Sequence, residues 1–420
     1  MNFWKDLKTK KDEKNKRGII ALSPMDGLTD YPFRKMVTKY GKPDLIYTEF
    51  VCVDQIFHAK KDVIGEFLYD ETQRPIVAQV FGIDPDLFYI SAQLVCELGF
   101  DGIDINMGCP SKNVASRGAG AGLIKNPELA SRIIQATKKG IEDWTKNGFS
   151  KDFPDRVQSK MEATKKALQD LGVKLSWDSL VGEGAGRDSI NSHNDNPRNS
   201  IPLSIKTRIG YSENEVERWI PFLVKQDIAC IALHGRTYKQ MYTGKADWQA
   251  IGRAKELIYS ESILNSTLTK PLLLGNGDIQ SLEQAEEFCE KYKIDGVLIG
   301  RAFLGRPWLL TPGLPKQVIT ARQPKPEKSF QGSQLVVTET ANSDGLALEK
   351  IFAIILEHSK LQEDFDSKNF FRVRKHLAWY CKGFRGASEL RSNLVLSSNF
   401  VQVENILKNF LTNQTDRNNL

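Results

Sequence analysis

The six cysteines of this 420-residue chain include no Cys-x-x-Cys pair, so the usual sequence signature of a zinc site or a thiol-exchange motif is missing. A chain of this length needs no disulfide staples, and the thiols are expected to be reduced, in a cytoplasmic protein that binds no metal. No apolar run reaches the length of a signal peptide or a membrane span; the first residues lead instead into a basic, polar stretch from Lys8 to Arg17. Neither a secretory nor a transmembrane segment is therefore expected. No Gly-x-Gly-x-x-Gly follows a first strand, which argues against a Rossmann dinucleotide site.

What is present is enough apolar residue, 40%, to bury a large core, and a net charge of +6 that leans weakly towards a polyanionic partner. Short apolar runs recur with helical, charge-bearing segments between them: Ile19 to Ser23, Leu45 to Glu49, Ile76 to Val80, Gly102 to Asn106, Leu203 to Lys206, Cys230 to His234, Leu272 to Gly275 and Gly296 to Ile299. Eight strand-helix units predict a closed (β/α)8 TIM barrel. Polar residues gather just after each run, where a barrel of this kind carries its active site: Pro24-Met25-Asp26, Glu49, Gln79, Asn106 with Cys109, Lys206, His234, Asn276-Gly277-Asp278 and Gly300-Arg301.

Cys109 is the candidate catalytic residue. The run through Asn106 breaks at Gly108-Cys109-Pro110, and the glycines of Gly118-Ala119-Gly120-Ala121-Gly122 shape the loop beside it. Cys52, Cys96, Cys230 and Cys289 read as buried, inert thiols. Gly275-Asn276-Gly277-Asp278 and Gly300-Arg301 follow the last two strands, where loop N–H groups of barrels often hold a phosphate. Lys206, flanked by apolar residues at a strand end, calls for an anion nearby, and a reduced flavin ring would provide one.

The division expected is a catalytic barrel over 1–311 with an insertion at about 141–201, a linker over 312–345 and a helical domain over 346–420. The insertion includes a helix over Pro154 to Leu171 and a Gly-, Ser-, Asn- and Asp-rich stretch over 176–200. In the helical tail Phe370, Val373, Leu377 and Tyr380 fall on one stripe, and Arg372, Lys375, Trp379 and Lys382 on another that could grip a phosphate backbone.

Seven motifs occur in order: Ser23-Pro24-Met25-Asp26-Gly27-Leu28-Thr29-Asp30, Ala78-Gln79-Val80-Phe81-Gly82, Asn106-Met107-Gly108-Cys109-Pro110, Lys206-Thr207-Arg208-Ile209-Gly210, Leu233-His234-Gly235-Arg236-Thr237, Gly275-Asn276-Gly277-Asp278 and Gly300-Arg301. With these the chain resembles the tRNA-dihydrouridine synthases, over about residues 17–140, 201–311 and the tail around Arg374-Lys375-His376. The resemblance implies an FMN enzyme, reduced by NADPH or NADH, that reduces the C5–C6 bond of selected uridines in tRNA. It implies that Pro24, Met25 and Asp26 line the flavin, that Gln79 and Lys206 contact its ring, and that His234 sits near its phosphate or the substrate base. Asn276, Gly277, Asp278, Gly300 and Arg301 would hold the phosphate end. Cys109 would donate the proton to C5, with Asn106, Arg374, Lys375 and His376 as tRNA contacts. A monomer is expected. The rival readings are an FMN barrel acting on a small molecule, such as a dihydropyrimidine dehydrogenase, and an RNA-binding module without catalysis.

Overall fold

The structure is a computed structural model that describes residues 3–13, 18–58, 64–175, 198–264, 270–311 and 345–418. It divides into two units, Met1–Thr38 with Pro43–Arg301, and Lys39–Lys42 with Ala302–Leu420. The expected linker over 312–345, apart from Gly345, and residues 176–197 of the polar stretch over 176–200 lie outside the described residues.

The first unit is built on a closed barrel of parallel strands in sequence order: β1 (Ile19–Leu22), β2 (Leu45–Cys52), β3 (Ile76–Phe81), β4 (Gly102–Met107), β5 (Leu203–Arg208), β6 (Cys230–His234), β7 (Leu272–Asn276) and β8 (Gly296–Ile299). Every strand begins at the residue the sequence predicts, because a parallel strand covered on both faces reads as an unbroken apolar run. All residues of β1 and β4 are buried. Five strands run on further than predicted, β2 to Cys52, β5 to Arg208 and β3, β4 and β7 by one residue each, since their end residues stay within the sheet pairing. A register shift between Tyr47 and Phe50 sets Thr48 and Glu49 of β2 against one residue of β3, a bulge of the kind that re-aims side chains at barrel rims.

Around the barrel, in chain order, run α1 (Phe3–Glu13), α2 (Tyr31–Tyr40), α3 (Val53–His58), α4 (Pro85–Glu97), α5 (Lys112–Ala115), α6 (Pro127–Asn147), α7 (Asp155–Asp170), α8 (Val216–Val224), α9 (Trp248–Leu264) and α10 (Leu282–Tyr292). Their starts are written in the sequence: Asp84 caps α4 ahead of Pro85, and Asn126 caps α6 ahead of Pro127. The sequence gives little sign of α1, a strongly charged helix; it is anchored by Trp4, which is buried among Ile19, Ala21, Leu45, Tyr47, Leu274 and Leu298.

The second unit contains α11 (Leu348–Asp366), a tight 3-10 segment over Ser367–Arg372, α12 (Arg374–Tyr380), α13 (Ala387–Leu394) and α14 (Phe400–Asn418). Phe370, Val373, Leu377 and Tyr380 are buried, so the apolar stripe is real although it spans a 3-10 segment and an α-helix. His376 requires a correction. It is fully buried, its ring 5.2 Å from those of His358 and Trp379, so it is a core residue of this unit and not a surface contact for RNA.

The neighbouring His358 Nδ1 lies 2.9 Å from the Tyr380 hydroxyl, and burial drives its pKa down to about 3. The native unit keeps this ring neutral while the unfolded chain protonates it near pH 6.5, so stability is intact above pH 6.5 and is lost as the pH falls towards 3. We expect this one residue to cost about 2 kcal/mol between pH 6.5 and 5. Urea unfolding of the parent and of His358→Asn at both pH values checks it: equal losses in the two proteins would contradict the assignment.

Candidate active site

The loop that presents Cys109 is organised by Asn106. Its Oδ1 accepts hydrogen bonds from the backbone N–H groups of Gly108 (3.0 Å) and Cys109 (2.9 Å), which bends the chain sharply as it leaves β4. Asn106 Nδ2 donates to Gln79 Oε1 (2.9 Å), Gln79 Nε2 donates to Asp104 Oδ2 (2.7 Å), and Ser204 Oγ donates to Asp104 Oδ1 (2.7 Å). This buried chain of side chains spans β3, β4 and β5 and fixes the position of the cysteine backbone. Gln79, expected at the flavin ring, has both ends of its amide engaged here, which leaves one N–H and one lone pair for a ligand. Cys109 itself is only 8% exposed. Burial, with Asp26 adding to it, raises the thiol pKa above its ordinary value against the pull of Arg208 and Lys206, so the sulfur holds its proton at neutral pH.

Sheet register brings the cations together. Asn106 pairs with Lys206, Arg208 with His234, and His234 with Asn276. Burial and the nearby Arg208 pull Lys206 down to about 8. Arg208 donates to the carbonyls of Gly108 (2.7 Å), Thr237 (3.1 Å) and Met241 (3.0 Å), and so ties the cysteine loop to the loop after β6. His234 is buried, and that burial, with Arg208, Lys206, Arg236 and Arg301 around it, holds its pKa well below the ordinary value. Since Arg236 Nη1, 3.3 Å away, can only donate, His234 Nε2 accepts and the ring proton sits on Nδ1. His234 is thus a neutral donor and not a general acid.

At the last two strand ends, Gly277 has φ +129, where a Cβ would stand 2.6 Å from the Cβ of Ala246 and 3.1 Å from His234 Cδ2. A Cβ on Gly300 would meet Met25 Sδ at 3.1 Å. These two positions keep backbone bare in a place where it can approach a ligand. Asn276 Nδ2 donates to the Leu298 carbonyl (2.9 Å), which aligns the two strand ends. Beside them a cavity of about 710 Å³ is lined by Arg236, Lys245, Asp278, Gln280 and Arg301 among others. Asp278, expected at the phosphate, instead accepts from Arg236 (2.6 Å) and Arg301 (3.0 Å). A carboxylate repels a phosphate, and its effect here is to order two guanidiniums; burial would raise its pKa, but those partners hold it below the usual carboxylate value.

Pro24 is buried, Met25 half-buried and Asp26 exposed on the loop after β1. Thr29 Oγ1 secures that loop by accepting from the Met25 N–H (2.9 Å) and donating to its carbonyl (3.1 Å). Glu49, aimed by the β2 bulge, accepts from the Leu28 N–H (3.1 Å). Its own burial and the adjacent Glu66 push its pKa well above the carboxylate range, so Glu49 holds its proton at neutral pH. In the helical unit Arg374 is half-exposed and donates to the Ser397 carbonyl (2.5 Å), and Lys375 is half-exposed.

Sequence reasoning missed Asp104, Ser204, Arg208 and Arg236. The signals were there: an aspartate between isoleucines inside a buried strand, an arginine two residues after Lys206 and so on the same face of β5, and another two residues after His234 in the loop beyond β6. Among the remaining cysteines, Cys96, Cys230 and Cys289 are buried as expected, while Cys52 is half-exposed at the rim end of β2. Among the described residues no cluster of metal-ligating side chains occurs and no helix is long and apolar enough to cross a membrane.

A family model described as dihydrouridine synthase (Dus) matches residues 20–174 and 196–415, with its interruption inside the segment expected to be an insertion. A probable tRNA-dihydrouridine synthase of Staphylococcus aureus strain COL is 29% identical over 412 residues, 97% of this chain and 95% of that protein. Probable tRNA-dihydrouridine synthase 2 of Bacillus subtilis strain 168 is 28% identical over 415 residues, 97% of this chain and 96% of its own. Among solved structures, an old yellow enzyme homologue from Zymomonas mobilis overlaps 72% of this chain and 91% of its own at 13% identity and a TM-score of 0.37, a likeness too remote to bear on chemistry.

Proposed function

The chain belongs to the dihydrouridine synthase family, a family of flavin-dependent oxidoreductases, and on that premise we propose that it reduces the C5–C6 double bond of particular uridines in tRNA. FMN is the flavin we propose, with NADPH or NADH as the reductant. The observation that carries the proposal is the convergence, at the carboxyl ends of one set of strands, of a proton-holding thiol and a cation-rich cradle of bare backbone.

The residues present fit a flavin mononucleotide. The uncovered backbone at Gly277 and Gly300, with Arg301 and Arg236 ordered by Asp278, suits a phosphate. Pro24, Met25 and Asp26 would then border the ring from the β1 side, and Lys206 would supply a cation to a reduced, anionic ring. A reduced flavin bound here supplies hydride to C6 of the uracil.

The chain's own part is acid catalysis and charge balance. Cys109 Sγ holds a proton and delivers it to C5, and Arg208 and Lys206, which favour the thiolate, stabilise the sulfur that remains. Negative charge that builds on the base meets cations rather than water. His234, neutral, orients by donating from Nδ1. The target base leaves its stack to reach this mouth, so RNA shape and phosphates must be gripped elsewhere on the protein; Arg374 and Lys375 of the helical unit are proposed for that grip.

Absorbance of the purified protein tests the reading. The expected flavin band bleaches when NADPH is added without oxygen and returns when unmodified tRNA follows. Bleaching without recovery would move the substrate elsewhere, as a small-molecule oxidoreductase would require, and a folded protein with no band would favour an RNA-binding role without catalysis.

A further inference from the structure

The loops after β4, β5 and β6 carry a second group of side chains that the chemistry above does not use. Tyr211, after β5, and Tyr238, after β6, lie ring on ring with centroids 4.5 Å apart and planes at 18°. The Tyr238 N–H donates to the Gly210 carbonyl (3.0 Å) and the Lys239 N–H to the Tyr211 carbonyl (3.0 Å), so the two loops pair along their backbones and hold the rings in place. Lys125 Nζ stands 4.8 Å from the centre of the Tyr211 ring.

Lys125 ends a 3-10 segment, Gly120–Lys125, whose Ala121 N–H donates to the Cys109 carbonyl (3.4 Å). One short element thus connects the cysteine to the stacked rings. Both tyrosines are half-exposed, and Lys112, Arg117, Lys125 and Lys239 on the same loops are exposed. On the loop after β5, Glu215 is engaged by Arg218 (2.6 Å) and by the Tyr211 N–H (2.7 Å), and Glu213 is exposed, so two acids stand on this loop against the four exposed cations. Stacked tyrosines in a core would need no explanation beyond packing. Here they sit half-exposed on two loops that pair along their backbones, with Lys125 over one ring and joined through its 3-10 segment to the loop that carries the thiol.

Resting on the reading of RNA as the substrate, we propose that Tyr211, Tyr238 and Lys125 form a stacking platform for an unpaired base next to the target uridine. Extruding one nucleotide strips its neighbours of a stacking partner, and an aromatic face flanked by cations replaces it. Because every base has a π-face, the platform accepts any neighbour; it places the strand without reading its sequence. Lys125 and the exposed cations of the cysteine loop hold the adjoining phosphates.

The test uses the full-length flavoprotein carrying Tyr211→Ala or Tyr238→Ala, reduced with NADPH and mixed anaerobically with increasing unmodified tRNA. Flavin content and the rate of reduction are expected to match the parent. The tRNA concentration giving half-maximal reoxidation is expected to rise about tenfold, the scale of one lost base stack. Tyr211→Phe and Tyr238→Phe should stay near the parent value, since stacking needs the ring and not the hydroxyl. An unchanged tRNA dependence in both alanine variants overturns the platform, and so does a phenylalanine variant as weak as its alanine counterpart. Should the alanine variants lose flavin, Lys125→Glu probes the same surface without touching the rings: a raised half-saturation supports the platform and an unchanged one overturns it. A parent protein that tRNA never reoxidises instead overturns the substrate reading itself, which keeps the two failures apart.

Discussion

Cys109→Ala is expected to keep bound flavin and its reduction by NADPH while slowing dihydrouridine formation by about 10²- to 10⁴-fold, the range that a positioned general acid contributes. The effect should be this selective because the loop is held by the cysteine's backbone and not by its sulfur: Asn106 takes the N–H groups of residues 108 and 109, and Arg208 takes the Gly108 carbonyl. Alanine removes the proton source and leaves those bonds in place. The measurement is single-turnover reoxidation of the reduced protein by tRNA, alongside direct assay of the product base. A variant that modifies tRNA at the parent rate would show that another group supplies the proton to C5.

Gly277→Ala should do the opposite, sparing the thiol and removing the flavin. At φ +129 an L-residue is strained whatever space surrounds it, and the added methyl would press on Ala246 and His234. The loop must shift, and with it the bare backbone proposed to meet the phosphate. Purified variant is expected to be nearly colourless and to bind added FMN at least tenfold more weakly, while its far-ultraviolet dichroism stays that of the parent because the change lies beyond the end of β7. Full flavin occupancy at the parent affinity would move the phosphate away from this strand end.

The barrel was legible in the sequence because its strands are buried on both faces and so announce themselves as apolar runs. The candidate site was drawn for a related reason: Lys206 and His234 close their apolar runs with a polar residue, and Cys109 follows the end of its own. Harder to see was anything that depends on who meets whom across the sheet. The partners of Arg208, Arg236 and Asp104 were not legible: register sets Arg208 beside His234, the loop after β6 brings Arg236 to the same ring, and Gln79 and Ser204 close on Asp104. His376 misled for the converse reason: a basic neighbourhood in sequence, Arg374-Lys375-His376, is wrapped around a helix, which turns the histidine inward while its neighbours stay half-exposed.

Helix α1 has a practical consequence for anyone shortening this protein. The first strand starts at Ile19, yet the packed interior starts with Trp4, so a chain trimmed to the strand would be cut through its own foundation. The apolar floor formed by Ile19, Leu45, Tyr47 and Leu274 would lie open to water, an invitation to self-association. Tags and cleavage sites belong ahead of Phe3, and the smallest sensible barrel includes the charged helix that looks dispensable on paper.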